Sequence, residues 1–181
     1  FWEREREADS TRRKSLENLD YVAIPLQDLP LDVLGDLPEI EEYHEKLREL
    51  SGKKIVNSAG YSNTELKLEY GAPNINLLSE YDRNFEELIT LLQEWASLLL
   101  QNWGEGAQLC PEEGRKQAAK KVLAFAVSIG SDITASYEKL VKLYLEYGEQ
   151  DKLPALKEKA KKIRSLSKPR ILALLDEAVK G

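Results

Sequence analysis

The chain has 181 residues, 26 Lys+Arg against 32 Asp+Glu for a net charge of −6, and 42% hydrophobic content. This predicts a folded, highly charged globule with a real core rather than a disordered tail. One Cys and one His exclude an intramolecular disulfide framework, a cysteine-rich zinc site and every scheme that needs two imidazoles. The sequence contains no Gly-x-Gly-x-x-Gly, no phosphate-binding Gly-x-x-x-x-Gly-Lys-Ser/Thr, no Gly-x-Ser-x-Gly and no His-Glu-x-x-His, so no cofactor or catalytic motif stands out.

The net charge conceals an asymmetry. Residues 1–16 sum to +1, residues 17–113 to −14 and residues 114–181 to +7. Blocks of opposite sign attract each other within a fold, between copies or toward outside partners. No window holds the ~18 apolar residues needed to span a bilayer. The opening Phe1-Trp2-Glu3-Arg4-Glu5-Arg6 sets aromatics ahead of charges, as where a chain leaves a membrane interface. Arg4, Arg6, Arg12, Arg13 and Lys14 favour the cytoplasmic side. The expectation is a charged juxtamembrane segment over residues 1–20, held at the inner face of a membrane by a helix removed from before Phe1. The plainer alternative is an exposed, charge-laced helix start. Residues 21–181 are expected to form a single helical domain.

In chain order, residues 3–19 are polar, with the pattern of a frayed helix. Tyr21 to Leu26 form a short extended apolar run in which Pro25 forbids a central strand. The first clear helix spans about 37–50, with Asp36 and Glu39 as capping box, Pro38 in the first turn, and Ile40, Tyr43, Leu47 and Leu50 as its apolar stripe. Residues 53–81 are irregular and rich in Asn, Ser, Tyr and Gly. Two readings stand open there: a short β-hairpin around Gly60, or a helical turn at Leu66 to Tyr70 capped by Asn63 or Thr64. From Phe85 the helical period is clear, with Asn84 and Glu87 as a second capping box and Phe85, Leu88, Ile89, Leu92, Trp95, Leu99 and Trp103 on one stripe. An irregular loop follows over 104–110. Further helices are predicted from Pro111 to before Gly130, over about 132–147, 154–166 and 169–180. Their short connections make antiparallel neighbours the default.

A partial repeat runs through the second half. Gly114 and Gly148 are 34 residues apart, as are Ala126 and Ala160, and Tyr137, Leu140 and Tyr144 recur at the spacing of a helical-repeat first helix. Upstream, Gly114, Ala119, Leu123 and Ala126 supply the matching second helix. Over residues 112–167 the chain therefore resembles a tetratricopeptide-repeat array. The pattern departs at Val141, Leu153 and Lys157, and the terminal Pro is missing. A generic antiparallel helical bundle with these matches arising from ordinary packing is the alternative. The fold class is thus mainly α, in antiparallel helical hairpins, with an irregular N-terminal region that has room for a β-hairpin.

Chemical candidates are few. Glu41 and His44 have the i, i+3 spacing of two-metal helical bundles, but no second His completes such a centre. A lone His beside Ile40 and Leu47 reads as a boundary residue. Cys110 before Pro111 sits at a helix start, where a thiol is activated, although an incidental residue is the commoner case. The basic run over 157–170 offers contact with anionic lipid or nucleic acid. Nucleic acid is disfavoured, because the interleaved residues are Leu, Ala and Ile rather than stacking aromatics. The resulting expectation is a non-enzymatic protein- or peptide-binding module without metal or cofactor. The resemblance implies a groove lined by helix 134–147, with Glu138 and Lys142 on its face. A second possibility is a small-molecule or catalytic pocket over 57–76, with Tyr61, Asn63 and Asn76 as its polar lining.

Overall fold

The computed structural model describes residues 1–104 and 110–181. The predicted loop over 104–110 therefore lies largely outside the described residues. Those described form eight α-helices: α1 (Trp2–Asp9), α2 (Pro38–Ser51), α3 (Asn63–Tyr70), α4 (Ile75–Leu100), α5 (Glu112–Ser128), α6 (Thr134–Glu146), α7 (Leu153–Ala160) and α8 (Lys168–Lys180). Helices joined by short connections pack as antiparallel neighbours. Among the described residues there is no strand, and none of the helices is long and apolar enough to cross a membrane. The chain divides into two compact units, one of Phe1–Ala23 with Lys53–Glu87 and the other of Ile24–Gly52 with Leu88–Gly181. Helix α4 begins in the first and ends in the second.

In the first unit, α1 packs on α3, and the segment after α1 is strapped across the C-terminal end of α3. The Thr11 hydroxyl lies 2.9 Å from the Lys67 carbonyl and accepts the Ala72 amide at 2.8 Å. The Lys14 amide donates to Tyr70, and the Asn74 side chain donates to the carbonyls of both Lys14 and Tyr70. Gly71 makes this crossing possible. Its φ is +94°, and a Cβ there would lie 2.1 Å from the Arg12 carbonyl oxygen.

The β-hairpin around Gly60 does not form. Ile55 and Val56 are buried, and their backbone groups are taken by other partners: Val22 donates to the Ile55 carbonyl, and Val56 donates to the carbonyl of Tyr81. Beyond Gly60 the Ser62 hydroxyl accepts the Glu65 amide while the Glu65 carboxylate accepts the Ser62 amide. That reciprocal cap starts α3, so Leu66 to Tyr70 are helical. The cap is Ser62, not Asn63 or Thr64.

Two other predicted caps are corrected. The N-cap of α2 is Leu37, in an extended conformation ahead of Pro38, with no side-chain cap, so Asp36 stands one residue too early. Asn84 lies inside α4, because a short 3-10 turn over Ala72–Asn74 leads directly into a helix that begins at Ile75. The buried Asn84 side chain instead donates to the Lys54 carbonyl. Helix α7 also ends at Ala160, earlier than its periodicity suggested, and residues 161–167 turn into α8.

The second unit holds the larger core. Trp95, Tyr137, Leu92, Leu99, Leu123 and Leu140 are fully buried there, and each buried aliphatic side chain of this kind stabilises the fold by roughly 1.5–3 kcal/mol. Helix α5 packs against both α6 and α7, α6 packs against α8, and α7 packs against α8. Ala119, Ala126 and Ala160 have no exposed surface, which is where small side chains let helix axes approach closely.

Candidate functional site

Helix α6 turns one face to the core and one to solvent. Tyr137, Leu140, Val141, Leu143 and Tyr144 are buried. Burial pushes the Tyr137 phenol up to about 12, and its hydroxyl donates to the Ser131 carbonyl at 3.1 Å. The opposite face carries Glu138 and Lys142, both exposed and one turn apart. Leu145, 40% exposed, lies one further turn along the same stripe. An acid, a base and an aliphatic side chain therefore stand in a row on a helix whose inner face is fixed.

The end of α6 is clamped to α5 by charge. The Glu149 carboxylate takes both Lys120 and Lys152, and this pairing, with Lys120 first, holds its carboxyl below the usual range. Lys120 also sits over the Tyr147 ring at 4.5 Å and Lys152 over Tyr144 at 5.3 Å. Lys116 bridges Glu112 and Glu146 at 3.2 and 3.1 Å. Gly148, with φ +65°, supplies the left-handed residue that stops the helix. Gly114 does not lie at a turn; it falls within the first turn of α5.

The sequence also marked Tyr61, Asn63 and Asn76, and the structure does not gather them. Tyr61 lines an open cleft of about 400 Å³ with Arg4, Glu65, Leu66, Leu68, Glu69 and Tyr70. Asn63 and Asn76 are exposed on the first turns of α3 and α4 and are not among its lining residues. The cleft holds one guanidinium and two carboxylates. Hydrogen bonds from the Ser62 amide and hydroxyl keep the Glu65 carboxyl below its ordinary range.

His44 is not a boundary residue. It is fully buried on α2, edge-on to Trp95 with ring centroids 5.1 Å apart. Its Nδ1 is 3.5 Å from a Glu41 oxygen, and neither ring nitrogen makes a hydrogen bond. Burial pushes its pKa below 6.5, against the opposing pull of Glu41. Among the described residues no group of three or more His, Cys, Asp or Glu side chains is placed to hold a metal ion.

Arg115, which sequence reasoning missed, is a further buried ionisable group. It sits one residue after Gly114 in α5, and its guanidinium donates to the carbonyls of Leu99 and Gln101 at 3.2 and 2.7 Å. The sequence signal is slight: an Arg in the first turn of a helix, where the macrodipole disfavours it. Compared with protein families, curated proteins and solved structures, the chain matches none.

Proposed function

We propose that the chain is a non-enzymatic helical module that binds a peptide segment of a partner protein along the exposed stripe of α6, in a tetratricopeptide-like arrangement. The observation that carries this reading is the interleaved packing of the second unit, α5 on α6 and α7, and α6 and α7 on α8. In stacked helical hairpins alternate helices pack on one another, as α5 does on α7 and α6 on α8, and one set of alternate helices lines a common face. The buried Ala119, Ala126 and Ala160, the buried Tyr137 and Leu140 and the left-handed Gly148 support it at the positions the repeat pattern marks.

The stripe defines the ligand chemistry: a basic group opposite Glu138, an acidic group opposite Lys142 and an apolar side chain against Leu145. A solvated helix backed by a rigid core presents these groups with little ordering cost.

The test is selection from a random-peptide display library against the whole chain. Selected peptides are expected to lose about tenfold or more in affinity for Lys142→Glu, a charge reversal worth at least ~1.4 kcal/mol at a docked contact. Circular dichroism should be unchanged. Peptides that bind Glu138→Lys, Lys142→Glu and the parent chain equally contradict the reading.

A further inference from the structure

The connection between α7 and α8 has a composition found nowhere else in the chain. Residues 159–170 read Lys-Ala-Lys-Lys-Ile-Arg-Ser-Leu-Ser-Lys-Pro-Arg, with six cationic side chains and no carboxylate. Two apolar residues punctuate the turn, and the fold treats them oppositely. Ile163 is buried, whereas Leu166 is 100% exposed.

Leu166 is not exposed because the turn is loose. The Ile163 amide donates to Ala160, the Lys168 amide to Ser165 and the Ile171 amide to Ser167, at 3.1, 3.2 and 3.1 Å. Ile163 and Ile171 are buried on either side of it, and the base of the hairpin is tied by Lys157 to Asp176. A fixed turn thus holds one bare leucine outward. Lys159, Lys162, Arg164 and Arg170 are exposed close to it in sequence, as is Lys161, which pairs with Glu158 at 2.7 Å.

We propose that the α7–α8 turn is a docking site for an anionic lipid bilayer, with Leu166 inserting between headgroups and the surrounding cations lying at headgroup level. This surface is separate from the α6 stripe and does not depend on it. Each Lys or Arg near an anionic leaflet contributes an attraction that falls off within a Debye length. A buried aliphatic side chain adds a contribution that salt does not screen. The combination distinguishes lipid from other polyanions. A nucleic-acid surface would use the cations but leave Leu166 in water, and it would be served by exposed aromatics, which this turn lacks.

The experiment places a polarity-sensitive fluorophore on Leu166→Cys in a Cys110→Ala background. The labelled chain is titrated with phosphatidylcholine vesicles with and without phosphatidylserine, an anionic lipid of the cytoplasmic leaflet. The dye should shift to the blue only with the anionic vesicles. In cosedimentation of the unlabelled chain, Lys159→Gln/Lys162→Gln, which removes two positive charges, should weaken partitioning by about 25-fold, at roughly fivefold per charge removed. Leu166→Ser should weaken it about tenfold while leaving the salt dependence in place. The proposal is overturned if the dye stays in water on anionic vesicles, if Leu166→Ser partitions like the parent, or if single-stranded DNA binds more tightly than the vesicles and does so independently of Leu166.

Discussion

The guanidinium of Arg115 closes the C-terminal end of α4 by donating to the Gln101 carbonyl at 2.7 Å, with a second bond to Leu99. The last carbonyls of a helix have no partner within it, and here a buried cation from the next helix supplies one. Arg115→Ala leaves these groups unsatisfied and is expected to lower stability by about 2–4 kcal/mol in urea unfolding. Arg115→Lys should recover only part of the loss, because an ammonium can stand in for Nη1, which makes both of these bonds, but not also for Nε, which donates to the Cys110 carbonyl at 3.4 Å. Full recovery with Lys would mean that charge alone matters there.

Buried His44 gives a pH dependence with a definite sign. Its folded pKa is lowered from 6.5, chiefly by burial, so below 6.5 the unfolded chain binds more protons than the folded one. Stability should therefore be full above that value and decline as pH falls from 6.5 toward the lowered folded value. Glu41 and Arg48 are the charged groups acting on it, and the lowered Glu41 carboxyl adds its own loss only below 4.5. His44→Phe should keep the packing on Trp95 and flatten the upper window. An unchanged slope in that variant would assign the effect elsewhere.

Two glycines separate backbone necessity from convenience. Gly71→Ala must accommodate a Cβ 2.1 Å from the Arg12 carbonyl oxygen at a φ of +94°, and should cost about 3 kcal/mol or more through strain and loss of the strap. Gly52 meets only the Glu49 carbonyl at 3.6 Å, at a φ of −88°. Its alanine variant should be neutral or stabilising by up to about 1 kcal/mol. Thermal melts of the two variants check the contrast.

The capping box of α3 is testable by itself. Ser62→Ala removes the acceptor for the Glu65 amide and should cost about 1 kcal/mol, with Asn63→Ala close to silent because Asn63 is not the cap.

The helices were legible because their apolar residues repeat with the helical period over long stretches, as Leu88, Leu92, Trp95 and Leu99 do. What misled was punctuation. Asn84 with Glu87 has the spacing of a start signal, yet the helix already runs from Ile75, and Asn84 serves the Lys54 carbonyl from its interior. The alternation of Leu66, Leu68 and Tyr70 suits a strand as well as one helical turn, and the Ser62 cap decides between them. Glu138 and Lys142 were marked by the repeat resemblance, and they are exposed opposite the buried Tyr137, Leu140 and Tyr144. The roles of His44 and Arg115 depend on Trp95, Leu99 and Gln101, contacts that no local pattern encodes. Leu166 looked like the end of a helix, and only the early stop of α7 shows it to be an exposed tip.

Peptide binding on the outer face of α6, as proposed, is tested most directly by amide chemical-shift mapping of the isotope-labelled chain with a display-selected peptide. The largest changes are predicted at Glu138, Lys142 and Leu145, and they should vanish in Lys142→Glu. Changes confined to the cleft at Tyr61 or to the turn at Leu166, with α6 silent, would contradict it.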